Sequence, residues 1–137
     1  MKRLFIDSDV QLDIILKREP FYIYSARVLN LATQKQKVRL FTSAICFANL
    51  YYLLTVELRR SKARNVLKTF KTLFSIIPTS DLAINNALES DFKDLKDAFQ
   101  YFTAIENNME VIITRNTKDF KSSEIPVFTP KEFLATL

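Results

Sequence analysis

Apolar and polar positions change their period several times along this chain, and each change marks an element. Leu4-Phe5-Ile6 is a short continuous apolar run, the pattern of a strand buried on both faces, and it stops at Asp7. Apolar residues then return at helical spacing as Val10, Leu12, Ile14 and Ile15, with Asp9 placed to cap that helix. Pro20 suits the first position of a second helix, whose apolar residues Ile23, Ala26, Val28, Leu29 and Ala32 run to about Gln34. Val38 to Thr42 alternates and carries β-branched residues, which predicts a strand. Ser43 to about Arg60 reads as a long helix. Ser61 to Leu73 reads as another, apolar at Ala63, Val66, Leu67 and Phe70 with basic residues between.

The second half continues the alternation. Ser75-Ile76-Ile77 is a short strand stopped by Pro78, and Ser80 caps a helix to Leu88. Asp91 to Asn107 is helical by period, Met109 to Thr114 is rich in β-formers, and Val127-Phe128 is a last short strand. Thr129-Pro130-Lys131-Glu132 has the spacing of a capping box, with proline in the first turn of a C-terminal helix. Strands alternating with helices, without linker or repeat, predict an α/β protein. Its mostly parallel sheet carries helices on both faces, and residues 1–137 form one domain. Ligands of such sheets sit beyond the carboxyl ends of the strands. Asp7, Asp9 and the segment Arg115-Asn116-Thr117-Lys118-Asp119 are therefore the residues to inspect.

Composition narrows the chemistry. With 48% apolar and 26% charged residues, 137 residues suffice for one globular core. The lone cysteine, Cys46, excludes an internal disulfide framework and fits a reducing cytoplasm. Met1-Lys2-Arg3 followed by apolar residues resembles the start of a signal sequence, but Asp7 and Asp9 end the run. The longest apolar segment, Ala44 to Val56, contains Asn49 and is too short for a bilayer, so no membrane is expected. The chain has no histidine, which excludes imidazole bases and Ser-His-Asp or Cys-His arrangements. It has no glycine, which excludes the phosphate loops that need close backbone approach. Carboxylates, lysine, hydroxyls or a bound metal remain. The net charge of +5 favours a polyanionic partner such as nucleic acid, although many soluble proteins are mildly basic without one.

Asp7 ends the first strand, and Asn116 follows the strand ending at Thr114. Asp94 and Asp97, three residues apart, share one face of a helix. Converging oxygen ligands of this kind suit Mg²⁺ or Mn²⁺. Each residue also has a structural role open to it. Asp9 can be a helix cap, Asp91 and Asp94 can complement a helix dipole, Lys93 and Lys96 can pair with acids in solvent, and Asn116 and Asp119 can be turn residues.

The ordered set of motifs resembles the PIN-domain family, from Phe5-Ile6-Asp7-Ser8-Asp9-Val10 through Asp94-Leu95-Lys96-Asp97-Ala98-Phe99-Gln100-Tyr101 and Ala104. Val111-Ile112-Ile113-Thr114-Arg115-Asn116, Asp119-Phe120, Ile125-Pro126-Val127, Thr129-Pro130 and Glu132-Phe133-Leu134 continue it to the end of the chain. The resemblance implies a three-layer α/β/α sandwich and an acidic pocket for Mg²⁺ or Mn²⁺. It also implies hydrolysis of RNA phosphodiesters, as in the toxin ribonucleases of toxin–antitoxin systems. It implies an RNA substrate, a small antitoxin partner and a homodimer. By the same resemblance Asp7, Asp94, Asp97 and Asn116 are the catalytic and metal-holding residues, and Thr114 and Asp119 support them.

The chain departs from better-known members where Asn49 stands in place of a glutamate and Lys96 in place of an acid; Asn49 is then a supporting residue. Glu57, two turns on, is too distant to substitute. The pocket is less negative than a four-acid one, so the second reading is a catalytically weakened PIN domain that binds RNA or protein. Arg59, Arg60, Lys62, Arg64, Lys68 and Lys71, with Lys35, Lys37 and Arg39, either hold an RNA backbone or form a solvated helix face. Phe21, Tyr22, Tyr24, Tyr51 and Tyr52 either stack bases or, in their helical setting, pack in the core or between subunits.

Overall fold

In the computed structural model, which describes residues 1–137, five parallel strands form one sheet in the order β3-β2-β1-β4-β5. The elements follow in chain order as β1 (Lys2–Ile6), α1 (Ser8–Leu16), α2 (Tyr22–Thr33), β2 (Val38–Ser43), α3 (Ala44–Glu57), α4 (Arg60–Lys71) and β3 (Ser75–Ile77). After these come α5 (Asp81–Leu88), α6 (Leu95–Glu106), β4 (Val111–Ile113), a 3-10 turn (Thr117–Phe120), β5 (Val127–Phe128) and α7 (Pro130–Ala135). No helix is long and apolar enough to cross a membrane.

Alternation along the strands builds two cores. Leu4 and Ile6 of β1 face the same side as Leu40, Val111 and Ile113, where they meet α1 to α4 and Phe133 of α7. Phe5 points the other way with Phe41 and Ile112, against Tyr101 and Ala104 of α6. The register sets Leu4 beside Leu40 and Val111, and Phe5 beside Phe41 and Ile112, so like faces align across three strands. This is the three-layer α/β/α sandwich that the sequence predicts.

Four boundaries differ from expectation. Asp7, not Asp9, caps α1, because its carboxylate accepts the Ser8 amide at 2.7 Å. Pro20 lies in a turn before α2, with the Glu19–Pro20 bond cis. There the Phe21 and Tyr22 amides both fold back onto the Arg18 carbonyl, at 3.1 and 2.8 Å. The long helix ends at Glu57 rather than near Arg60. The helix expected from Asp91 begins only at Leu95, because Asp94 Oδ1 accepts the amides of Lys96 and Asp97 and starts the helix there.

The chain steps from β1 outward to β2 and β3, then crosses back to β4 on the other side of β1. The crevice where direction reverses lies between the carboxyl ends of β1 and β4. That is where a doubly wound sheet offers its ligand site.

Candidate active site

Asp7 emerges from β1 into this crevice and is locked there. Its amide extends the strand ladder to the Ile113 carbonyl at 3.0 Å, Oδ1 takes the Ser8 amide, and Oδ2 takes the Thr114 hydroxyl at 2.9 Å. The side chain is only 3% exposed. Thr114 is itself fixed, since its oxygen accepts the Asn116 amide at 3.1 Å. A hydroxyl has one proton to give, and the shorter contact assigns it to Asp7; the 3.5 Å approach to Asp9 Oδ2 is secondary.

Asp9, one turn-step along α1, accepts the Arg115 amide at 3.2 Å and leaves its other oxygen buried without a partner. Asp97, in the first turn of α6, has one oxygen 3.5 Å from the Lys96 ammonium and the other buried and unpartnered. Burial and then the charge of Asp7 push both Asp9 and Asp97 up to about 7, with Lys96 opposing the rise at Asp97. Asp7 is thus the charge common to both neighbours. Burial would lower the Lys96 ammonium, but Asp7, Asp97 and further acids outweigh it and hold the lysine above its usual range.

Of the residues singled out in the sequence, Asp7, Asp97 and Thr114 are drawn together and buried. Asn49 of α3 reaches the same corner, its Nδ2 donating to Ser8 Oγ at 2.8 Å. Asp119 is exposed but faces Asp97. Asp94 is exposed and spends Oδ1 on its own helix, contributing only charge to Asp97 and Lys96. Asn116 is exposed, joined to the centre through its backbone. Lys96, which stands where the family carries an acid, keeps its side chain 39% exposed and sets its ammonium 3.5 Å from Asp97. Cys46 is buried, receives the Gln100 amide, and burial with the charge of Asp7 pushes its thiol up to about 12, so it stays protonated. That removes it as a nucleophile. Gln11 ties the Ile6 carbonyl to Thr42, both at 2.9 Å, and Ser43 holds Gln100 at 2.8 Å, which stiffens the floor beneath Asp7.

Sequence reasoning missed Asp13. It is fully buried on α1 with Arg18 Nε and Arg115 Nε each 2.8 Å from one of its oxygens. The Arg18 contact is a hydrogen bond, whereas the Arg115 N–H is not aimed at its oxygen and the attraction there is between charges. The signal available was an acid inside the apolar period Val10 to Ile15, which a solvent-facing helix would not place there.

A divalent cation fits this donor set. Beside Asp7, one buried carboxylate oxygen of Asp9 and one of Asp97 lack partners, and carboxylates crowded around Asp7 repel one another. No group of three acidic or cysteine side chains forms a complete cage. Mg²⁺ does not need one, since it keeps several waters and takes one or two carboxylates with substrate phosphate.

The crowding predicts a pH dependence of stability in EDTA. Asp9 and Asp97 hold protons to about pH 7 in the fold against an ordinary value of 3.8, so between these limits the folded state binds more protons than the unfolded one. Their contribution is complete below the ordinary value and is lost as pH rises through 7. Thermal melting is expected to give a Tm several degrees higher at pH 5.5 than at pH 8, with Asp97→Asn raising the value at pH 8. A Tm that climbs between those pH values and is lowered by Asp97→Asn would contradict the crowding.

The sequence model of the PIN domain matches residues 3–118. The chain is 30% identical to the ribonuclease VapC1 of Aquifex aeolicus (strain VF5), over 96% of this chain and 93% of that protein. Among solved structures, a DNA-bound VapBC complex from Salmonella typhimurium aligns with a TM-score of 0.73 at 17% identity, over 95% of this chain and 99% of that one. A toxin–antitoxin complex from Klebsiella pneumoniae aligns with a TM-score of 0.68 at 25% identity, over 93% of this chain and 97% of that one.

Proposed function

This chain belongs to the PIN-domain family, and from that premise we propose that it is a metal-dependent endoribonuclease, the toxin of a toxin–antitoxin pair, acting in the cytoplasm as a single domain. The observation that carries the reading is the pair of buried aspartates, Asp7 and Asp97, coupled through charge at the β1–β4 crossing point of the sheet. Asp7 and Asp97 would hold Mg²⁺ or Mn²⁺; Asp94, whose Oδ1 starts its own helix, and Asn116, tied in through its backbone, are the further ligands proposed and would turn in from the exposed rim. When bound, the cation polarises the scissile phosphate and lowers the pKa of an attacking water. Thr114 fixes the Asp7 carboxylate by its hydrogen bond, and Asp119 and Asn49 support from either side.

The antitoxin has a surface to meet. A shallow, open and mostly apolar depression lies between α1, α2 and α4, lined by Ile14, Ile15, Leu29, Val66, Phe70 and Leu73. Arg64, Lys68 and Lys71 stand on the adjoining face of α4. An amphipathic antitoxin segment with acidic flanks matches both features. A homodimer is the expected state of the toxin itself.

The ammonium of Lys96 on Asp97 favours the second reading, a weakened PIN domain that binds RNA or protein without cutting it. Incubating purified protein with labelled RNA in Mn²⁺ and in EDTA separates the two. Cleavage that requires the ion supports the nuclease, and RNA binding without cleavage supports the binding module.

Asn49 gives a direct test of the pocket's charge. A carboxylate about 4 Å from a cation gains on the order of 4 kcal/mol per unit of cation charge at an effective dielectric of about 20. Desolvation offsets much of this, leaving about 1–3 kcal/mol. Asn49→Glu is therefore expected to tighten Mn²⁺ binding about ten- to a hundredfold in a calorimetric titration. Unchanged affinity in a normally folded variant would mean that the pocket lacks no acid at this corner.

A further inference from the structure

A second cluster on the same edge plays no part in holding the cation. A cavity of about 310 Å³ opens beside Arg115, walled by Phe21 and Tyr24 at the entry to α2 and by Thr129, Pro130 and Lys131 at the start of α7. That volume is at the lower end of cavities that accept a small ligand. The Arg115 guanidinium lies 4.0 Å from the Phe21 ring centroid, and the Lys131 ammonium lies 5.4 Å from that of Tyr24. No carboxylate lines the walls. Asp13, which pairs with Arg115, is fully buried and engages only Nε of a group with five N–H donors. The remaining donors, and Lys131, are free to meet an anion.

Three properties point to the occupant. The walls carry only neutral and positive groups, so the ligand is anionic. Phe21 remains 38% exposed and Tyr24 half-buried, so flat apolar surface is open to a ring. Arg115 directly follows Thr114, the residue that holds Asp7, so adjacent residues at the end of β4 serve the cavity and the acidic centre. Double-stranded nucleic acid cannot place a base in such a recess, whereas a single strand can splay one out.

We infer that this cavity is a nucleotide subsite for the single-stranded RNA substrate, an inference that rests on the ribonuclease reading. A base next to the scissile bond lodges against Phe21 and Tyr24, and its phosphate faces Lys131 and the outer nitrogens of Arg115. The Arg115 and Lys131 cations lie over one face of the Phe21 and Tyr24 rings and hold these walls in place while the strand is absent. Thr129 adds a fixed polar rim, because its hydroxyl already accepts the Glu132 amide at 3.1 Å and retains its own proton to donate.

The test is fluorescence anisotropy of a labelled single-stranded oligoribonucleotide of mixed sequence, in EDTA at low salt so that nothing is cut. Tyr24→Leu and Lys131→Gln are each expected to weaken binding about five- to tenfold. Tyr24→Phe keeps the ring and is expected to bind within about twofold of the unaltered protein. Lys2→Gln removes the same charge at the amino end of β1, on the opposite edge of the sheet, and is also expected to stay within about twofold. Circular dichroism melts check that each variant folds. Equal binding by Tyr24→Leu, or equal weakening by Lys2→Gln and Lys131→Gln, would overturn the subsite while RNA binding by the unaltered chain leaves the ribonuclease reading standing. No RNA binding by the unaltered chain would overturn both.

Discussion

Asp7→Asn is expected to reduce metal-dependent RNA cleavage by at least about a hundredfold while leaving the fold intact. The substitution keeps the shape of the side chain. Its Oδ1 still accepts the Ser8 amide, and its new amide can donate to the Thr114 oxygen by turning that hydroxyl round. What disappears is one negative charge at the centre of the acid cluster. At a cation distance of about 4 Å that charge contributes on the order of 4 kcal/mol at an effective dielectric of about 20, before desolvation is deducted. A net loss of about 3 kcal/mol corresponds to a hundredfold or more in cation occupancy or transition-state stabilisation. The Asn variant should also melt at higher temperature in EDTA at pH 8, because Asp9 and Asp97 no longer repel it. Loss of cleavage with a gain in metal-free stability is a pairing that simple misfolding would not give. Protein purified identically and cutting RNA as fast as the unaltered chain would remove Asp7 from the mechanism.

The second large effect concerns stability. Asp13→Ala is expected to destabilise the fold by about 2–4 kcal/mol, somewhat below the cost of breaking a wholly buried ion pair. The reduction follows from exposure. Asp13 is fully buried, but the Arg18 and Arg115 side chains remain 39% and 29% exposed and can recover some hydration once the acid is gone. The expected fall in Tm is roughly 8–16 °C for a chain of this length. Arg115 would also lose the anchor that holds it over Phe21, so RNA binding in the adjoining cavity should weaken along with stability. Urea denaturation measures the first effect, with the slope expected to stay unchanged. A shift of the midpoint equivalent to less than about 1 kcal/mol would mean that the two arginines do not depend on Asp13.

The strands and their order of faces were legible because they are written in local periods. Leu4-Phe5-Ile6 and Val111-Ile112-Ile113 are unbroken apolar runs because both faces of a parallel sheet are covered, and their alternate residues enter the two separate cores. The site's principal acid was legible for the same reason, since Asp7 is the first polar residue past an apolar strand. Helix starts were less legible. Asp7 and Asp9 both suit an N-cap, as do Asp91 and Asp94, and only the backbone geometry at each position decided which carboxylate took the free amides.

What the sequence by itself determined is therefore the alternation of elements, the α/β/α layering and the edge on which the acids gather. All of these follow from apolar periods of a few residues. Only the tertiary structure decided the partners that lie far apart in the chain. Asp13 meets Arg115, Lys96 comes under the charge of Asp7, and Phe21 and Tyr24 form a wall with Lys131. Those pairings depend on how the helices seat against the sheet, and a charge or ring in the sequence carries no mark of the distant residue that will neutralise or cover it.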